Sequence, residues 1–168
     1  MAFHDDLLVQ AARLARHEPM RPRQASLRRA ISSAYYALFH LLTGAAASLV
    51  TPRSLQGLDL SVRRTFEHAA MKDLCKGFAA GNVPVPLQTH VANQLDPDLR
   101  LVADAFIELQ QARHQADYDL GRPQTRSEAL RLVQVAQDAF AGWARVRTSK
   151  DARVFLVALA LPGLRKQR

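Results

Sequence analysis

Arg113 occupies a position where the surrounding sequence pattern predicts an apolar residue. Between residues 99 and 116 apolar side chains recur every three or four residues, as on one face of a helix, and this stripe reads Leu99, Val102, Phe106, Leu109, Arg113, Ala116. A guanidinium is costly to bury without partners, so Arg113 must find compensating groups. Asp117, four residues later, can pair with it along the helix, and Tyr118 stands in the same relation to His114.

A second helix offers partners for Arg113. Residues 28–50 read RRAISSAYYALFHLLTGAAASLV and carry two apolar stripes, so this helix is predicted to be the buried centre of the fold. A third stripe is polar, and its members are Arg29, Ser33, Tyr36, His40 and Thr43. If the two helices pack together, we expect one polar seam that joins Arg29, Ser33, Tyr36 and His40 to Arg113 and Asp117.

This seam has two interpretations. A buried salt bridge that fixes the register of two helices is the structural one. The functional one is a groove for phosphate or RNA, because arginine binds phosphate in a forked geometry and tyrosine contacts bases. The candidate binding residues are Arg29, Ser33, Tyr36, His40, Arg113, Asp117 and Tyr118.

Other enzyme classes lack support in the sequence. No two histidines stand four residues apart, the single Cys75 has no partner pattern for a metal, and there is no glycine-rich phosphate loop. We therefore predict neither a metal nor another cofactor. Cys75 is interpreted as a small apolar filler of the core.

Composition favours one globular domain over residues 1–168. The chain is 48% hydrophobic and 23% charged, with a net charge of +8. The positive charge is concentrated at the end, where residues 144–168 hold seven bases and one acid. Such a patch suits nucleic acid or an acidic partner, and the alternative is that it only aids solubility.

The same sequence predicts a cytoplasmic protein without a membrane segment. The first residues, MAFHDDLL, carry acids where a signal peptide carries bases. The longest uninterrupted apolar run, residues 154–161, is far shorter than the roughly 18 residues of a membrane span. A lone cysteine agrees with a reducing compartment.

Helix signals along the chain predict an all-α, up-and-down bundle of about five to six helices. The first helix covers residues 4–17 and ends at Pro19, and the central helix ends before Pro52. A third helix, capped by Asp59 or Ser61, extends to residue 78, and a loop follows over residues 81–95. The remaining helices start at Asp96-Pro97-Asp98, at Thr125 and at Ser149, and the last one ends near Pro162.

Two of these segments resemble the HEPN superfamily, the helical domains found beside minimal nucleotidyltransferases. The resemblance rests on RRAISSAYYALFH, with Ser33-Ala34-Tyr35-Tyr36-Ala37, and on LQQARHQADYDL, with Arg113-x-x-Ala116-Asp117-Tyr118. It implies a bundle of four or more helices, a homodimer, and a role in RNA cleavage, nucleotide binding or toxin–antitoxin pairing. A nucleotidyltransferase-type protein is the partner that it implies.

One departure from the family pattern bears on catalysis. Ribonuclease members carry Arg-x(4 to 6)-His, whereas Arg113 is followed by His114 and, five residues on, by Tyr118. Arg63 and His68 have the family spacing, but such a match is expected by chance. The leading hypothesis is therefore an RNA- or nucleotide-associated binding or regulatory module. One alternative is a metal-independent ribonuclease in which His40, His68 or His114 works with Arg113, and another is a structural partner protein that binds no nucleic acid.

Overall fold

The structure is a computed structural model that describes residues 2–18, 20–52, 54–55 and 57–165. All regular secondary structure in these residues is helical, which confirms the all-α prediction. The helices are α1 (Phe3–Arg16), α2 (Gln24–Val50), α3 (Leu58–Arg63), α4 (His68–Ala80), α5 (Val85–Gln88), α6 (Pro97–Tyr118), α7 (Arg126–Val146) and α8 (Lys150–Ala160), and a 3-10 turn follows at Pro162–Arg165.

The contacts between residues divide the chain into two compact units. The first unit comprises Met1–His40 and Ala105–Ala141, and the second comprises Leu41–Asp104 and Gly142–Arg168. Helices α2, α6 and α7 each contribute one part to each unit. The single domain predicted for residues 1–168 stays a prediction.

The first unit packs four helix segments around aromatic and aliphatic side chains. Contacts between neighbouring segments are Phe3 with His40 (α1 and α2), His4 with Phe140 (α1 and α7), Tyr35 with Phe106 (α2 and α6), and Glu108 with Arg131 (α6 and α7). Tyr35 and Phe106 are fully buried, and their ring centroids are 5.6 Å apart. These contacts agree with the predicted antiparallel packing of long helices with apolar stripes.

Helix α2 is largely buried, as predicted for the central helix. Leu27, Ile31, Ala34 and Leu38 are 1% exposed or less. With 27 residues and a mean hydropathy of 1.3 over its most apolar window, it is the one described helix that could cross a membrane by length and composition. Of that window 61% is buried, as in the core helix of a soluble protein. The longest uninterrupted apolar run did not reveal this helix, so the expected lack of a membrane segment stays a prediction. The cytoplasmic location stays a prediction.

The second unit has its own apolar contacts and a surface ion pair. Phe78 of α4 lies edge-on to Phe155 of α8, with ring centroids 4.9 Å apart, and both side chains are fully buried. Arg145 of α7 donates to both carboxylate oxygens of Asp98 on α6, at 2.7 and 2.6 Å. This forked geometry is the strongest form of an arginine–carboxylate pair.

The predicted third helix is wrong in two respects, because it is broken in the middle and capped by another residue. Helix α3 ends at Arg63, and α4 begins at His68. The Thr65 backbone N–H and its hydroxyl both donate to the carbonyl of Val62, at 3.0 and 2.8 Å, and so occupy the acceptor that a continuous helix would offer to Phe66. The residue at the start of α3 is Gly57, at φ 89°, and not Asp59 or Ser61.

The other helix starts follow the predicted caps. Asp96 accepts from the Asp98 N–H, Thr125 accepts from the Glu128 N–H, and Ser149 accepts from the Ala152 N–H. The short α5 inside the predicted loop, together with the broken third helix, raises the helix count above the predicted five to six. Pro19 and the last basic residues, Lys166 and Arg168, lie outside the described part of the chain.

Candidate functional site

Arg113 of α6 lies in the first unit with its side chain 18% exposed. Its Nη2 donates a 2.7 Å hydrogen bond to the hydroxyl of Tyr36 on α2. Its Nε is 2.9 Å from Oδ2 of Asp117. This second contact is an ion pair by distance only, because Nε has no hydrogen-bond acceptor among the described residues. The sequence prediction that Arg113 is compensated by α2 and by Asp117 is confirmed.

The surroundings keep the Arg113 guanidinium charged. Burial alone lowers the pKa of Arg113, but the hydrogen bond to Tyr36 and the nearby Tyr36, Asp117 and Tyr118 side chains outweigh burial. The resulting pKa lies above the ordinary value for arginine. Arg113 therefore carries a positive charge at neutral pH.

The serine that joins this cluster is Ser32 and not the predicted Ser33. The Ser32 hydroxyl donates to Oδ1 of Asp117 at 2.5 Å, and Ser32 is 1% exposed. Ser33 points elsewhere and donates to Gln10 of α1 at 3.3 Å. Consecutive residues of a helix point about 100° apart, so Ser32 and Ser33 contact different neighbouring helices.

Arg28 also faces α6, in place of the predicted Arg29. The Arg28 guanidinium donates to the carbonyl of Ala116 at 2.6 Å and, beyond the helix end, to those of Asp119 at 3.0 Å and Arg122 at 2.7 Å. It thereby caps the end of α6, where backbone carbonyls lack helical partners. Arg29 is exposed, and no hydrogen bond or ion pair of its side chain is found among the described residues.

The polar residues of α2 that bond to α6 therefore follow a spacing of four. They are Arg28, Ser32 and Tyr36, each one helical turn after the previous one. The sequence contains this series, and His40 continues it. A strict four-residue step along α2 would thus have identified Ser32 and Arg28. This step is typical of helices that pack through side-chain ridges spaced four residues apart.

An exposed aromatic side chain lies beside the Arg113 charge. Tyr118 is 66% exposed, and the centroid of its ring is 5.5 Å from Cζ of Arg113. The ring of His114 is 5.0 Å from that of Tyr118, as the four-residue spacing predicted, and His114 is also exposed. The half-buried Tyr36 ring lies 5.4 Å from the same Cζ. Both tyrosine distances are within the range of cation–π contacts.

The candidate histidines occupy three different places. His40 is half-buried and lies 6.3 Å from the ring of Tyr36, with the two rings 29° from parallel. His114 is exposed on α6, beside Tyr118. His68 is the first residue of α4 and belongs to the second unit, whereas Arg113 belongs to the first.

Arg63, which has the family spacing to His68, is engaged in packing. Its guanidinium carbon is 3.4 Å from the point where a Cβ on Gly44 would lie, and Nη2 is 3.4 Å from Asp59. Gly44 thus leaves room on α2 for this side chain. The structural role accounts for Arg63 without catalysis.

A metal centre is not indicated by the part of the chain that the structure describes. No three side chains of the His, Cys, Asp and Glu types lie close enough together there to hold an ion. Cys75 is buried and is not part of a disulfide. The charged side chains between α2 and α6 are Arg28, Arg113 and Asp117, and Arg28 is engaged in capping α6. Arg113 and Asp117 can bind an anion or orient a polar ligand.

These features define an all-α protein whose first unit carries a polar cluster of arginine, tyrosine, serine and aspartate between two helices. No known family model matches the chain, and searches of curated proteins and of solved structures also find no match. The resemblance to the HEPN superfamily therefore rests on the residues quoted above.

Proposed function

We propose that this chain is a HEPN-like, RNA-associated binding or regulatory module that binds single-stranded RNA or a nucleotide at Arg113. The observation that carries the proposal is the pairing of a fixed charge with an exposed aromatic ring. Arg113 is 18% exposed at its side chain, and Tyr118, 5.5 Å from it, is 66% exposed.

This pairing matches the two needs of single-strand recognition. A phosphate needs a cation that can donate several hydrogen bonds, and a base needs a flat apolar surface on which to stack. Nη2 of Arg113 donates to the hydroxyl of Tyr36, and Nη1 has no hydrogen-bond partner among the described residues. Tyr118 and the neighbouring His114 supply exposed rings on the last turn of the same helix.

The charge of the chain supports the same proposal. A net charge of +8 attracts phosphate backbones and makes binding sensitive to salt. Arg147, Lys150 and Arg153 are exposed in the second unit, and Arg145 uses Nε and Nη2 on Asp98. In this proposal a toxin–antitoxin or defence system is the setting, and a homodimer or a nucleotidyltransferase-type protein is the protein partner.

A metal-independent ribonuclease is the second candidate, and the position of His40 favours it. His40 stacks on Tyr36, the residue that holds Arg113. In this version His40 or His114 takes the proton of the RNA 2′-hydroxyl, and the 2′-oxygen attacks phosphorus as the bond from phosphorus to the 5′-oxygen breaks. The protonated histidine then gives its proton to the leaving 5′-oxygen, while Arg113 stabilises the charge on the phosphorus-bound oxygens. The third candidate, a structural partner protein, requires no RNA binding at all.

Fluorescence anisotropy with a labelled 12-nucleotide single-stranded RNA at 50 mM salt tests the proposal. Tyr118→Ala should weaken binding roughly fivefold or more, because stacking of one base on an aromatic ring contributes about 1–3 kcal/mol. Arg113→Gln should weaken it at least as much. Arg16→Gln is the matched control, since it removes the same charge from an exposed position on α1 of the same unit.

The outcomes separate the three candidates. Absence of binding at low salt leaves only the structural partner, and equal binding by the wild type and Tyr118→Ala overturns the proposed site. Incubation of the protein with the same RNA in the presence of EDTA then tests for catalysis. Cleavage that persists in EDTA and is lost in His40→Gln or His114→Gln establishes the ribonuclease, and intact RNA leaves the binding module.

A further inference from the structure

The connection between α4 and α6, which contains the short α5, borders a polar cavity in the second unit. The cavity has a volume of about 380 Å³. Four carboxamide side chains and one arginine are among the residues that line it, and these are Asn82, Gln88, Asn93, Gln94 and Arg100. No carboxylate lines it. Its chemistry is thus that of hydrogen-bonding groups with one net positive charge.

Hydrogen bonds hold the walls of the cavity in place. The Ala92 N–H donates to Oδ1 of Asp151 at 3.0 Å, and Asp151 is 8% exposed on α8. At the other wall the Asn82 N–H donates to the carbonyl of Gly77 at 2.7 Å. Gly81 makes that turn with φ at 76°, a conformation that favours glycine. These bonds hold the backbone at residues 82 and 92, whereas the five polar side chains of the cavity are exposed to solvent.

Arg100 is fixed in a way that leaves its terminal nitrogens available. Its Nε donates to the carbonyl of Ala79 at 3.0 Å, which orients the plane of the guanidinium. Nη1 and Nη2 have no hydrogen-bond or ion-pair partner among the described residues. A guanidinium that is oriented but not neutralised is suited to binding an oxyanion through two parallel N–H donors.

From this arrangement we infer that the cavity binds a small hydroxylated anion through Arg100 and the carboxamides. Arg100 takes the phosphate or carboxylate group. Asn82, Asn93 and Gln94 each offer a donor and an acceptor, which together match the hydroxyl groups of a sugar or hydroxy acid. A volume of about 380 Å³ is near the lower end for ligand pockets, so the ligand is a small metabolite rather than a polymer.

This site is independent of the one proposed for RNA. Arg113, Tyr36 and Tyr118 belong to the first unit, and every residue that lines the cavity belongs to the second. Loss of RNA binding in Tyr118→Ala therefore bears only on the first site, and loss of small-anion binding in Arg100→Gln bears only on the second.

Isothermal titration calorimetry of the full chain tests the inference with four probes. Ribose 5-phosphate carries a phosphate and gluconate carries a carboxylate, so they represent the two sources of the anionic group. Ribose lacks the charge, and inorganic phosphate lacks the sugar hydroxyl groups. Binding of ribose 5-phosphate or gluconate is expected, and which of the two binds tighter identifies the anion. Ribose should bind at least roughly tenfold more weakly, because it forms no charge-assisted hydrogen bond with Arg100.

Two variants and one control complete the experiment. Arg100→Gln should weaken binding of the anionic probe roughly tenfold or more, and Gln94→Ala should weaken it to a smaller extent. Arg64→Gln removes the same charge from an exposed position of the second unit and should leave binding unchanged. The inference is overturned if neither organic anion binds, if inorganic phosphate binds as tightly as both, or if Arg100→Gln binds like the wild type.

Discussion

The guanidinium of Arg113 donates a 2.7 Å hydrogen bond to the hydroxyl of Tyr36, a residue 77 positions earlier in the chain. This bond joins α6 to α2 within the polar cluster that also contains Ser32 and Asp117. Tyr36 contributes through its hydroxyl and through its ring, which lies 5.4 Å from Cζ of Arg113. The two contributions can be separated by substitution.

Tyr36→Phe should reduce the free energy of unfolding by about 1.5–3 kcal/mol, because it removes a hydrogen bond to a charged group and keeps the ring. Arg113 Nη2 then loses its acceptor while its side chain stays mostly buried. Urea unfolding monitored by circular dichroism measures the change. Tyr118→Phe is the matched control, since that tyrosine is 66% exposed, and it should change stability by less than about 0.5 kcal/mol. Equal losses in the two variants would contradict a specific bond.

The sequence predicted the Arg113 contact because the pattern of apolar residues was violated at that position. An arginine in a buried stripe needs a partner, and the helix richest in tyrosine and serine was the natural source. The partner serine was assigned incorrectly because Ser32 and Ser33 are adjacent and both are buried. Hydropathy cannot distinguish two identical neighbours that face different helices.

The helix ends were predicted where a side chain caps them. Asp96, Thr125 and Ser149 each accept a backbone N–H at a helix start. The break between α3 and α4 depends on Thr65, whose hydroxyl bonds the Val62 carbonyl. Apolar periodicity continues through this break, with Phe66 9% exposed, so the pattern alone indicated one uninterrupted helix. No periodic pattern in the sequence indicates the cavity beside Arg100, because most of the residues that line it belong to the connection between α4 and α6.

Arg28→Gln should destabilise the protein by about 2 kcal/mol, whereas Arg29→Gln should change stability by less than about 0.5 kcal/mol. The two substitutions remove the same charge from adjacent residues. Only Arg28 donates to carbonyls at the end of α6, at 2.6 to 3.0 Å from Ala116 and Asp119. Arg29 is exposed.

Equilibrium unfolding in urea gives both values, and amide hydrogen exchange locates the effect. In Arg28→Gln the last turn of α6 and the residues up to Arg122 should exchange faster, because their carbonyls lose the guanidinium. If Arg29→Gln is the more damaging change, the assignment of the cap to Arg28 is wrong.

The ion pair between Asp98 and Arg145 should make stability depend on acid pH. The hydrogen bond from Arg145 holds the pKa of Asp98 below its ordinary value of 3.8. A carboxylate with a depressed pKa in the folded state stabilises the protein above the unfolded pKa, and this contribution is lost as pH falls through the folded value. Wild-type stability should therefore decrease as the pH is lowered below about 4.

Asp98→Asn isolates this contribution. The wild type should be more stable than Asp98→Asn at pH 6, and the difference should shrink as the pH is lowered from 4 to 2. Urea midpoints measured across that range give the comparison. Asp104→Asn, at an exposed position of the same helix, serves as the control. A difference that stays constant with pH would show that the pair does not respond to protonation.

Gly77→Ala should destabilise the C-terminal end of α4 and distort the cavity beside it. A Cβ at residue 77 would lie 2.8 Å from the carbonyl oxygen of Asn82, closer than a carbon and an oxygen can approach. Because the obstacle is backbone, the turn through Gly81 must shift, and Asn82 moves with it. We expect a loss of about 1–3 kcal/mol in stability, the usual cost of overpacking.

Gly163→Ala is the matched control for this substitution, because no atom of the described residues is found within 4 Å of the point where its Cβ would be. Thermal unfolding should show a lower midpoint for Gly77→Ala and an unchanged one for Gly163→Ala. Binding of the organic anion should fall in the first variant, measured by calorimetry well below its unfolding midpoint. If Gly77→Ala unfolds at a lower temperature yet binds the anion like the wild type, Asn82 does not contribute to the cavity. That result would place recognition on Arg100 and on the carboxamides of residues 93 and 94, the part of the wall that the Ala92 bond to Asp151 holds.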